Sequence, residues 1–156
     1  MSYLKAKQHL EKYNLGDRII EFSSSTATVA LAAEQVGVTE GEIAKSMSFI
    51  VNDNPILVIV AGDKKIDNHK YKDEFKVKAK MISFDDVETL IGHKAGGVCP
   101  FGINDNVRVY LDLSLKKYEY VYPACGTSNT AVKLLINELE KASKYIKWVD
   151  VCKEGE

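Results

Sequence analysis

Two apolar segments separated by a polar turn constrain the fold of this chain more than any other part of its sequence. Residues 46–51 and 56–61 are rich in apolar and β-branched side chains, and Asn-Asp-Asn-Pro stands between them at residues 52–55. Turn residues of this kind favour a tight connection, and the flanking runs have the length of strands. The pattern predicts a β-hairpin buried deep in a sheet.

Shorter elements are predicted around this hairpin. Helical spacing of apolar residues and polar N-terminal caps predict helices over residues 3–13, 29–36, 39–45, 67–74, 84–91 and 136–142. Alternating or continuous apolar residues predict further strands over residues 18–22, 75–81, 107–113, 118–122, 130–134 and 145–151. Because strands do not alternate regularly with long helices, a doubly wound nucleotide-binding fold is disfavoured. We expect one α+β domain over residues 1–156, with a curved, mixed or antiparallel barrel-like sheet of about seven strands and short helices packed around it.

Composition excludes several classes of protein. The 156 residues include 21 basic and 22 acidic side chains, which rules out a uniformly basic nucleic-acid coat but not a local basic face. The longest strongly apolar run, residues 56–61, is far shorter than the ~20 residues of a membrane helix, and residues 1–14 lack the apolar core of a secretion signal. Three widely spaced cysteines fit a reducing compartment. A cytoplasmic protein without a membrane partner is expected.

Metal and cofactor chemistry has no support in the motifs. His9, His69 and His93 are scattered, and none belongs to a metal-ligand pattern. His9 and His69 are expected at the surface, whereas His93 precedes a glycine-rich loop and is a candidate for its edge. Phosphate loops, dinucleotide fingerprints and nucleophile elbows are also missing from the sequence. We therefore expect neither a metal nor a cofactor.

The glycine-rich loop at residues 96–102 has the densest backbone specialisation in the chain. Glycines admit positive φ and Pro100 fixes one φ, so the loop can either present N–H groups to an oxyanion or form an ordinary tight turn. Cys99 within it would need a nearby base to act as a nucleophile. Lys45, expected where a helix passes into a strand, is either a solvated side chain or a point charge for a phosphate.

Two further segments are candidates for binding. Residues 126–130, Gly-Thr-Ser-Asn-Thr, form a small polar loop that could hydrogen-bond ribose or an amino acid, or be an ordinary turn. Between Lys64 and Lys80 there are seven lysines and three acidic residues. Such a patch can either steer a polyanion or be a solvated charged face. Asp112, opposite the apolar positions of its strand, is expected to be exposed or to cap a turn.

Several of these segments together resemble a known family. Their order and spacing, over roughly residues 18–151, resemble the YbaK/prolyl-tRNA synthetase-associated editing domain, and the segments that carry the likeness are residues 43–49, 61–63, 92–102, 109–112 and 126–130. The resemblance implies a curved, barrel-like α+β fold and a trans-editing hydrolase. Such an enzyme deacylates a mischarged aminoacyl-tRNA, here a small amino acid on tRNA-Pro or a related tRNA, by positioning water at the ester without a metal. Aminoacyl-tRNA is then the partner, an aminoacyl-tRNA synthetase is a further candidate, and both monomer and homodimer stay open.

The resemblance also implies roles for individual residues. Lys45 would hold a phosphate at the tRNA 3′ end, and the loop residues Gly96, Gly97, Val98, Cys99 and Pro100 would cradle the carbonyl and orient water. Substrate contacts are expected from Thr26, Phe101, Gly102, Gly126, Thr127, Ser128 and Asn129, and contacts to the tRNA backbone from Lys64, Lys65, Lys76, Lys78 and Lys80.

Two departures from the family pattern bear on this assignment. Cys99 stands where many relatives have serine, and the loop at 126–130 differs from the glycine- and arginine-containing version of the best-known free-standing deacylases. The edited amino acid therefore stays open among cysteine, alanine, serine and threonine. A non-catalytic module that binds aminoacyl-tRNA or a nucleotide in the same pocket, and a thiol enzyme or redox sensor built on Cys99, are the alternatives.

Overall fold

The fold combines ten short strands with five α-helices in the computed structural model, which describes residues 2–155. The helices are α1 Ser2–Glu11, α2 Val29–Val36, α3 Asn68–Phe75, α4 Val87–Ile91 and α5 Ile136–Ser143, and 3-10 turns occupy Gly16–Arg18, Glu40–Glu42 and Leu113–Lys117. The strands are β1 Ile19–Glu21, β2 Ile43–Val51, β3 Asn54–Ala61, β4 Lys64–Ile66, β5 Arg108–Asp112, β6 Tyr120–Pro123, β7 Thr130–Val132, β8 Leu134–Leu135, β9 Lys147–Val149 and β10 Cys152–Glu154. Within the described residues, no helix is long and apolar enough to cross a membrane.

Six of the strands form one curled mixed sheet. Their order is β8-β6-β2-β3-β5-β9, with antiparallel pairs β2–β3 and β6–β8 and parallel pairs β2–β6, β3–β5 and β5–β9. The other four strands form two small antiparallel pairs, β1–β7 and β4–β10. The expected α+β architecture with a curved mixed sheet is confirmed, although the strands are shorter and more numerous than the seven predicted.

The predicted hairpin lies at the centre of this sheet. Strands β2 and β3 pair over eight residues each, from Ala44 opposite Ala61 to Val51 opposite Asn54. Positive φ at Asn52 and Asp53 (49° and 67°) gives the connecting turn the twist that matches antiparallel strands. All residues of β3 after Asn54 are buried, and they alternate between two apolar clusters on the two faces of the sheet. Apolar side chains on both faces therefore place the hairpin in the middle of the molecule.

The strand predicted at residues 75–81 is wrong. Helix α3 continues through Phe75, and Lys76 then adopts a left-handed conformation (φ 66°) that turns the chain away from the helix axis. Only the last residues of the 75–81 segment reach the sheet. There Met81 forms a β-bridge with Phe49, and the Ile50 N–H donates to the Lys80 carbonyl at 2.9 Å. We call residues 76–82 the edge segment; only its residues 80–82 pair with β2, which is too short a pairing to form a strand.

Two predicted helices are also shorter than expected. The Glu42 carboxylate accepts from the Thr39 N–H at 3.0 Å, as the predicted capping box requires, whereas the Thr39 hydroxyl donates to Glu42 instead of accepting from its N–H. The segment this opens is a single 3-10 turn, and β2 begins at Ile43, opposite Tyr122 of β6. Helix α4 begins at Val87, so Phe84 precedes it and is exposed. Strand pairing at Ile43 and the exposure of Phe84 both depend on the tertiary structure. They override the local helical signals of the sequence.

Two polar side chains expected at the surface are buried or partly so. His9 is half-buried, with Nε2 lying 2.6 Å from the Ala142 carbonyl. The Asp112 carboxylate is 1% exposed and accepts hydrogen bonds from the N–H groups of Ser114 and Val151, both at 2.9 Å. Asp112 thus caps a turn as expected, but it does so in the interior and ties the chain around Val151 to β5.

Substitution of Asp112 should destabilise the protein. An Asp112→Ala variant leaves two N–H groups without their acceptor, and we expect the free energy of unfolding to fall by about 2–4 kcal/mol in urea titrations. Asp150→Ala is the matched control, because Asp150 only forms an exposed ion pair with Lys70. Its effect should stay below about 1 kcal/mol. Equal effects of the two variants would contradict the capping role.

Candidate active site

A cavity of about 400 Å³ lies along the edge of β2. We call it the β2-edge cavity; its walls come from β2, the start of α2, residues 81–87, the glycine-rich loop and the end of β6. Most of the lining is apolar, and its polar side chains besides Lys45 are those of Thr26, Thr28, Ser46, Ser48, Tyr122 and Thr130. A concave apolar site with a few polar groups is the usual form of a small-ligand site.

The cavity exists because β2 has lost its neighbour over part of its length. On the side away from β3, the strand pairs with β6 only at Ile43 and Ala44, and with the edge segment again at Ser48 and Ile50. Backbone groups of alternate residues point to the same side of a strand. The N–H and C=O of Ser46, between these two pairings, therefore face the cavity, and within the described chain the Ser46 hydroxyl is buried without a hydrogen-bond partner. An extended, partly polar ligand can bind to such an edge.

Lys45 lies inside β2, as its third residue, and not at the helix-to-strand junction that the sequence suggested. Its side chain lies on the face shared by Met47 and Phe49, opposite that of Ser46. The Nζ donates to the carbonyl of Lys64 in β4 at 3.1 Å. An ammonium has three donors, so this bond fixes the ammonium group beside β4 and leaves two donors for a ligand.

The loop at residues 126–130 positions Thr26. The Thr26 N–H donates to the Ser128 carbonyl at 2.6 Å, and the Phe22 N–H donates to the Asn129 carbonyl at 2.8 Å. The Thr26 hydroxyl donates to the Thr130 carbonyl at 3.4 Å. These bonds hold the start of α2 against the polar loop, so that Thr26 and Thr130 form part of the cavity wall.

Gly97 allows the glycine-rich loop to contact this second loop. The Gly97 carbonyl accepts from the Gly126 N–H at 3.0 Å. A Cβ on Gly97 would lie 2.5 Å from the Gly126 carbonyl carbon and from the Thr127 nitrogen, both of which are backbone atoms. Glycine is therefore required at this position for the two loops to approach each other.

The predicted site residues are divided among several places. Thr26, Lys45, Gly96 and Val98 line the β2-edge cavity. A second cavity of about 620 Å³ is lined by Gly97, Gly126, Thr127 and Ser128, and a third of about 440 Å³ by Pro100 and Gly102. Cys99 and Phe101 are fully buried, and Asn129 is exposed, with its amide donating to the Phe22 carbonyl at 3.1 Å. Thr26, Lys45, Gly96 and Val98 therefore border the β2-edge cavity directly, and the other predicted residues belong to the loops around it.

The buried pair Cys99 and His93 does not have the arrangement of a thiol nucleophile and its base. Burial raises the pKa of the Cys99 thiol strongly and lowers the pKa of His93. The His93 Nε2 lies 2.6 Å from the Phe101 carbonyl, which only accepts, so Nε2 carries the proton. Although the thiol lies 3.5 Å from this nitrogen, a protonated Nε2 cannot take its proton. His93 holds the glycine-rich loop in place from the interior.

The predicted lysine patch separates into paired and unpaired side chains. Lys64 forms an ion pair with Glu154, and Lys70 forms one with Asp150. Lys76, Lys78 and Lys80 are exposed, and none of them pairs with a carboxylate among residues 2–155. Lys65 is exposed in β4 and, within the same residues, is likewise without an ion pair. The free positive charge is therefore concentrated on the edge segment that leads to the cavity.

Sequence reasoning missed several residues of the cavity wall, among them Ser46, Ser48, Met81, Ile82 and Tyr122. Their exposure to the cavity follows from where β2 loses its neighbour, which local periodicity does not report. The one available signal was the pair of serines at alternate positions of an otherwise apolar strand. Within the described residues, no group of three or more His, Cys, Asp or Glu side chains is placed to hold a metal ion.

Comparison with known proteins identifies the family. Residues 23–142 match the family described as the aminoacyl-tRNA editing domain, and the chain belongs to this family. A solved structure described as "Crystal structure of a putative trans-editing enzyme for prolyl tRNA synthetase" superimposes with a TM-score of 0.88, at 28% sequence identity and with 97% of each chain covered. The resemblance inferred from the sequence is thereby confirmed.

Two curated relatives are similar over most of the chain. One is "Uncharacterized protein YwhH" of Bacillus subtilis, which is 45% identical over 157 residues; the match covers 100% of this chain and 100% of the relative. The other is "Putative Cys-tRNA(Pro)/Cys-tRNA(Cys) deacylase EbsC" of Enterococcus faecalis, which is 23% identical over 133 residues, covering 83% of this chain and 81% of the relative. The family thus supports aminoacyl-tRNA editing in general.

Cys99 should be inert toward alkylation in the folded protein. Because burial raises its pKa, the thiolate fraction at pH 8 is very small, and iodoacetamide should modify Cys99 only after unfolding in urea. Mass spectrometry of peptides from native and unfolded samples checks this. Cys99→Ser should also keep any deacylase activity; rapid native alkylation of Cys99 with loss of activity would instead support a thiol enzyme.

Proposed function

We propose that this protein hydrolyses the ester bond of a mischarged aminoacyl-tRNA, acting in trans on a small amino acid attached to tRNA-Pro or a related tRNA. The observation that carries the proposal is the β2-edge cavity, where Lys45, Thr26, Gly96 and Val98 meet at an unpaired strand edge. Family membership over residues 23–142 supports the same class of activity. The relatives' printed names support the choice of tRNA-Pro and of deacylation.

The size and lining of the cavity favour a small aminoacyl group. About 400 Å³ accommodates a short side chain together with its ester and part of the ribose, and the apolar wall formed by Ala32, Ile82 and Val87 excludes water around it. The Ser46 N–H and C=O are available to the substrate's carbonyl and α-amino group. One methylene in such a pocket changes binding by only about 1–3 kcal/mol, so the edited amino acid has to be measured.

The proposed reaction needs positioning more than a strong nucleophile. Water adds to the ester carbonyl carbon, the negative charge of the tetrahedral intermediate rests on the former carbonyl oxygen, and the bond to the ribose oxygen then breaks. That oxygen takes one of the two protons of the attacking water, and the amino acid leaves as its carboxylate after the other proton is released to solvent. N–H groups around the cavity would stabilise the oxyanion, Gly96 and Val98 would bring the glycine-rich loop against the carbonyl, and a ribose hydroxyl would assist the proton transfer.

Lys45 is proposed to bind the RNA and not to act as a base. The Lys64 carbonyl accepts a hydrogen bond from its ammonium group, whose remaining donors can bind a phosphate near the 3′ end. A phosphate fixed there would place the ester next to Ser46 and the glycine-rich loop. The corresponding partners are aminoacyl-tRNA and, as a further candidate, an aminoacyl-tRNA synthetase, in the cytoplasm where both occur.

The first test is a deacylation panel. Wild-type protein, Lys45→Met and Lys45→Arg are incubated with tRNA-Pro charged with cysteine, alanine, serine, threonine or proline, and the release of amino acid is followed. We expect wild type to release one mischarged amino acid selectively, and Lys45→Met, which keeps the apolar stem, to lose at least tenfold in kcat/KM. Lys45→Arg, which keeps the charge, should retain more activity than Lys45→Met.

Thermal unfolding of the three proteins is the control for folding. If Lys45→Met is folded and as active as wild type, the proposed role of Lys45 is wrong. If no charged tRNA is hydrolysed but tRNA binds, the chain is a non-catalytic binding module that uses the same cavity.

The unpaired lysines should contribute to affinity through salt-sensitive contacts. We expect the double variant Lys78→Ala/Lys80→Ala to bind tRNA more weakly and to lower the slope of log affinity against log salt by about 1–2. The matched control is Lys116→Ala/Lys141→Ala, which removes two lysines near α5. Filter binding at several salt concentrations measures both slopes. An unchanged slope in the first variant would show that the edge segment does not contact the RNA backbone.

A further inference from the structure

Phe84 is an exposed aromatic side chain at the mouth of the β2-edge cavity. The other four phenylalanines are buried or half-buried, whereas Phe84 is 79% exposed. Met81, in the same segment, is 59% exposed, and both side chains line the cavity. Single exposed apolar residues are common, but two in the lining of one cavity indicate a surface that a ligand covers.

Basic residues precede Phe84 in the sequence and acidic residues follow it. Lys76, Lys78 and Lys80 precede Phe84 in the chain and are exposed, whereas Asp85 and Asp86 follow directly after it. Asp86 is held locally, because the Ser83 hydroxyl donates to its carboxylate at 2.9 Å. Phosphates are therefore favoured on the lysine side of Phe84 and disfavoured beyond it. A polyanion that ends at Phe84 fits this pattern better than one that continues past it.

The terminal nucleotide of a charged tRNA has this form. Its base and its aminoacyl ester are attached to the same ribose, and no phosphate follows it on the 3′ side. When the ester is inside the β2-edge cavity, the base must lie within the width of one ribose from the opening, where Phe84 and Met81 are exposed. Aromatic side chains beside a cationic strip are the common means of binding single-stranded nucleic acid.

We propose that Phe84, together with Met81, is the platform on which the terminal base of the RNA stacks while the aminoacyl group enters the cavity. This assignment rests on the proposed function and adds a base-binding surface to it. The exposed edge lysines guide the preceding phosphates toward the platform. Stacking fixes the terminal ribose, and therefore the ester, relative to Ser46 and the glycine-rich loop.

The test measures binding of uncharged RNA and so does not depend on catalysis. An RNA hairpin with a 5′ fluorophore and an unpaired 3′ end is prepared in two forms, one ending in adenosine and one ending in an abasic ribose. Fluorescence anisotropy gives the affinity of each form at a fixed salt concentration. We expect wild type to bind the adenosine form about tenfold more tightly.

Three variants separate stacking from a general effect on the surface. Phe84→Ala should abolish the difference between the two hairpins while leaving the affinity for the abasic form unchanged, and Phe84→Tyr should keep the difference. Leu113→Ala is the matched control, because Leu113 is 45% exposed and lies outside the cavity wall. It should behave as wild type.

The outcomes distinguish this proposal from the proposed function. Equal affinity of wild type for the two hairpins, binding of neither, or a difference that survives in Phe84→Ala would overturn the stacking platform. Selective deacylation in the panel would stand in each of these cases. A base-dependent difference without deacylation would keep the platform and overturn the hydrolase.

Discussion

The backbone pairing of β2 determines where the site of this protein can be. The strand is paired with β3 over nearly its whole length, but on its other side it is paired only at its two ends, with β6 and with the edge segment. The interval between these pairings leaves peptide groups of a central strand open in an apolar environment. Such groups are costly to leave without hydrogen bonds, and a ligand that supplies them is therefore bound specifically. The same interval provides both the space and the polarity of the cavity.

The supporting structure keeps this edge open without leaving it disordered. Hydrogen bonds between the loop at 126–130 and the segment around Thr26 fix one wall, and the contact of Gly97 with Gly126 fixes another. His93 anchors the glycine-rich loop through the Phe101 carbonyl. A preorganised wall of this kind suits a reaction whose barrier is lowered by placing water and an ester correctly, since the ester is already reactive.

Local sequence patterns predicted the central hairpin, most helices and the mixed curved sheet, because turn residues and apolar periodicity act over a few neighbours. They failed at residues 75–81, where the alternation predicts a strand although the segment pairs with β2 only at its end. They also placed Lys45 at the end of a helix and His9 at the surface, and they did not show that Asp112 caps its turn in the interior. These positions depend on contacts distant in sequence. For the site, the resemblance to a family supplied the residues, and Thr26, Lys45, Gly96 and Val98 do share one cavity. Ser46 and Phe84 needed the three-dimensional structure, because one is defined by a missing strand neighbour and the other by exposure.

The tether of Lys45 links the cavity to a distant part of the chain. Its acceptor, the Lys64 carbonyl, belongs to β4, whose only strand partner among residues 2–155 is β10 at Cys152–Glu154. Strand β10 lies beyond the region 23–142 that defines the family. The position of this ammonium group thus depends on a strand that lies outside the wall of the β2-edge cavity. Sequence changes in β10 can therefore alter how firmly this charge is held while the residues of the cavity wall stay the same.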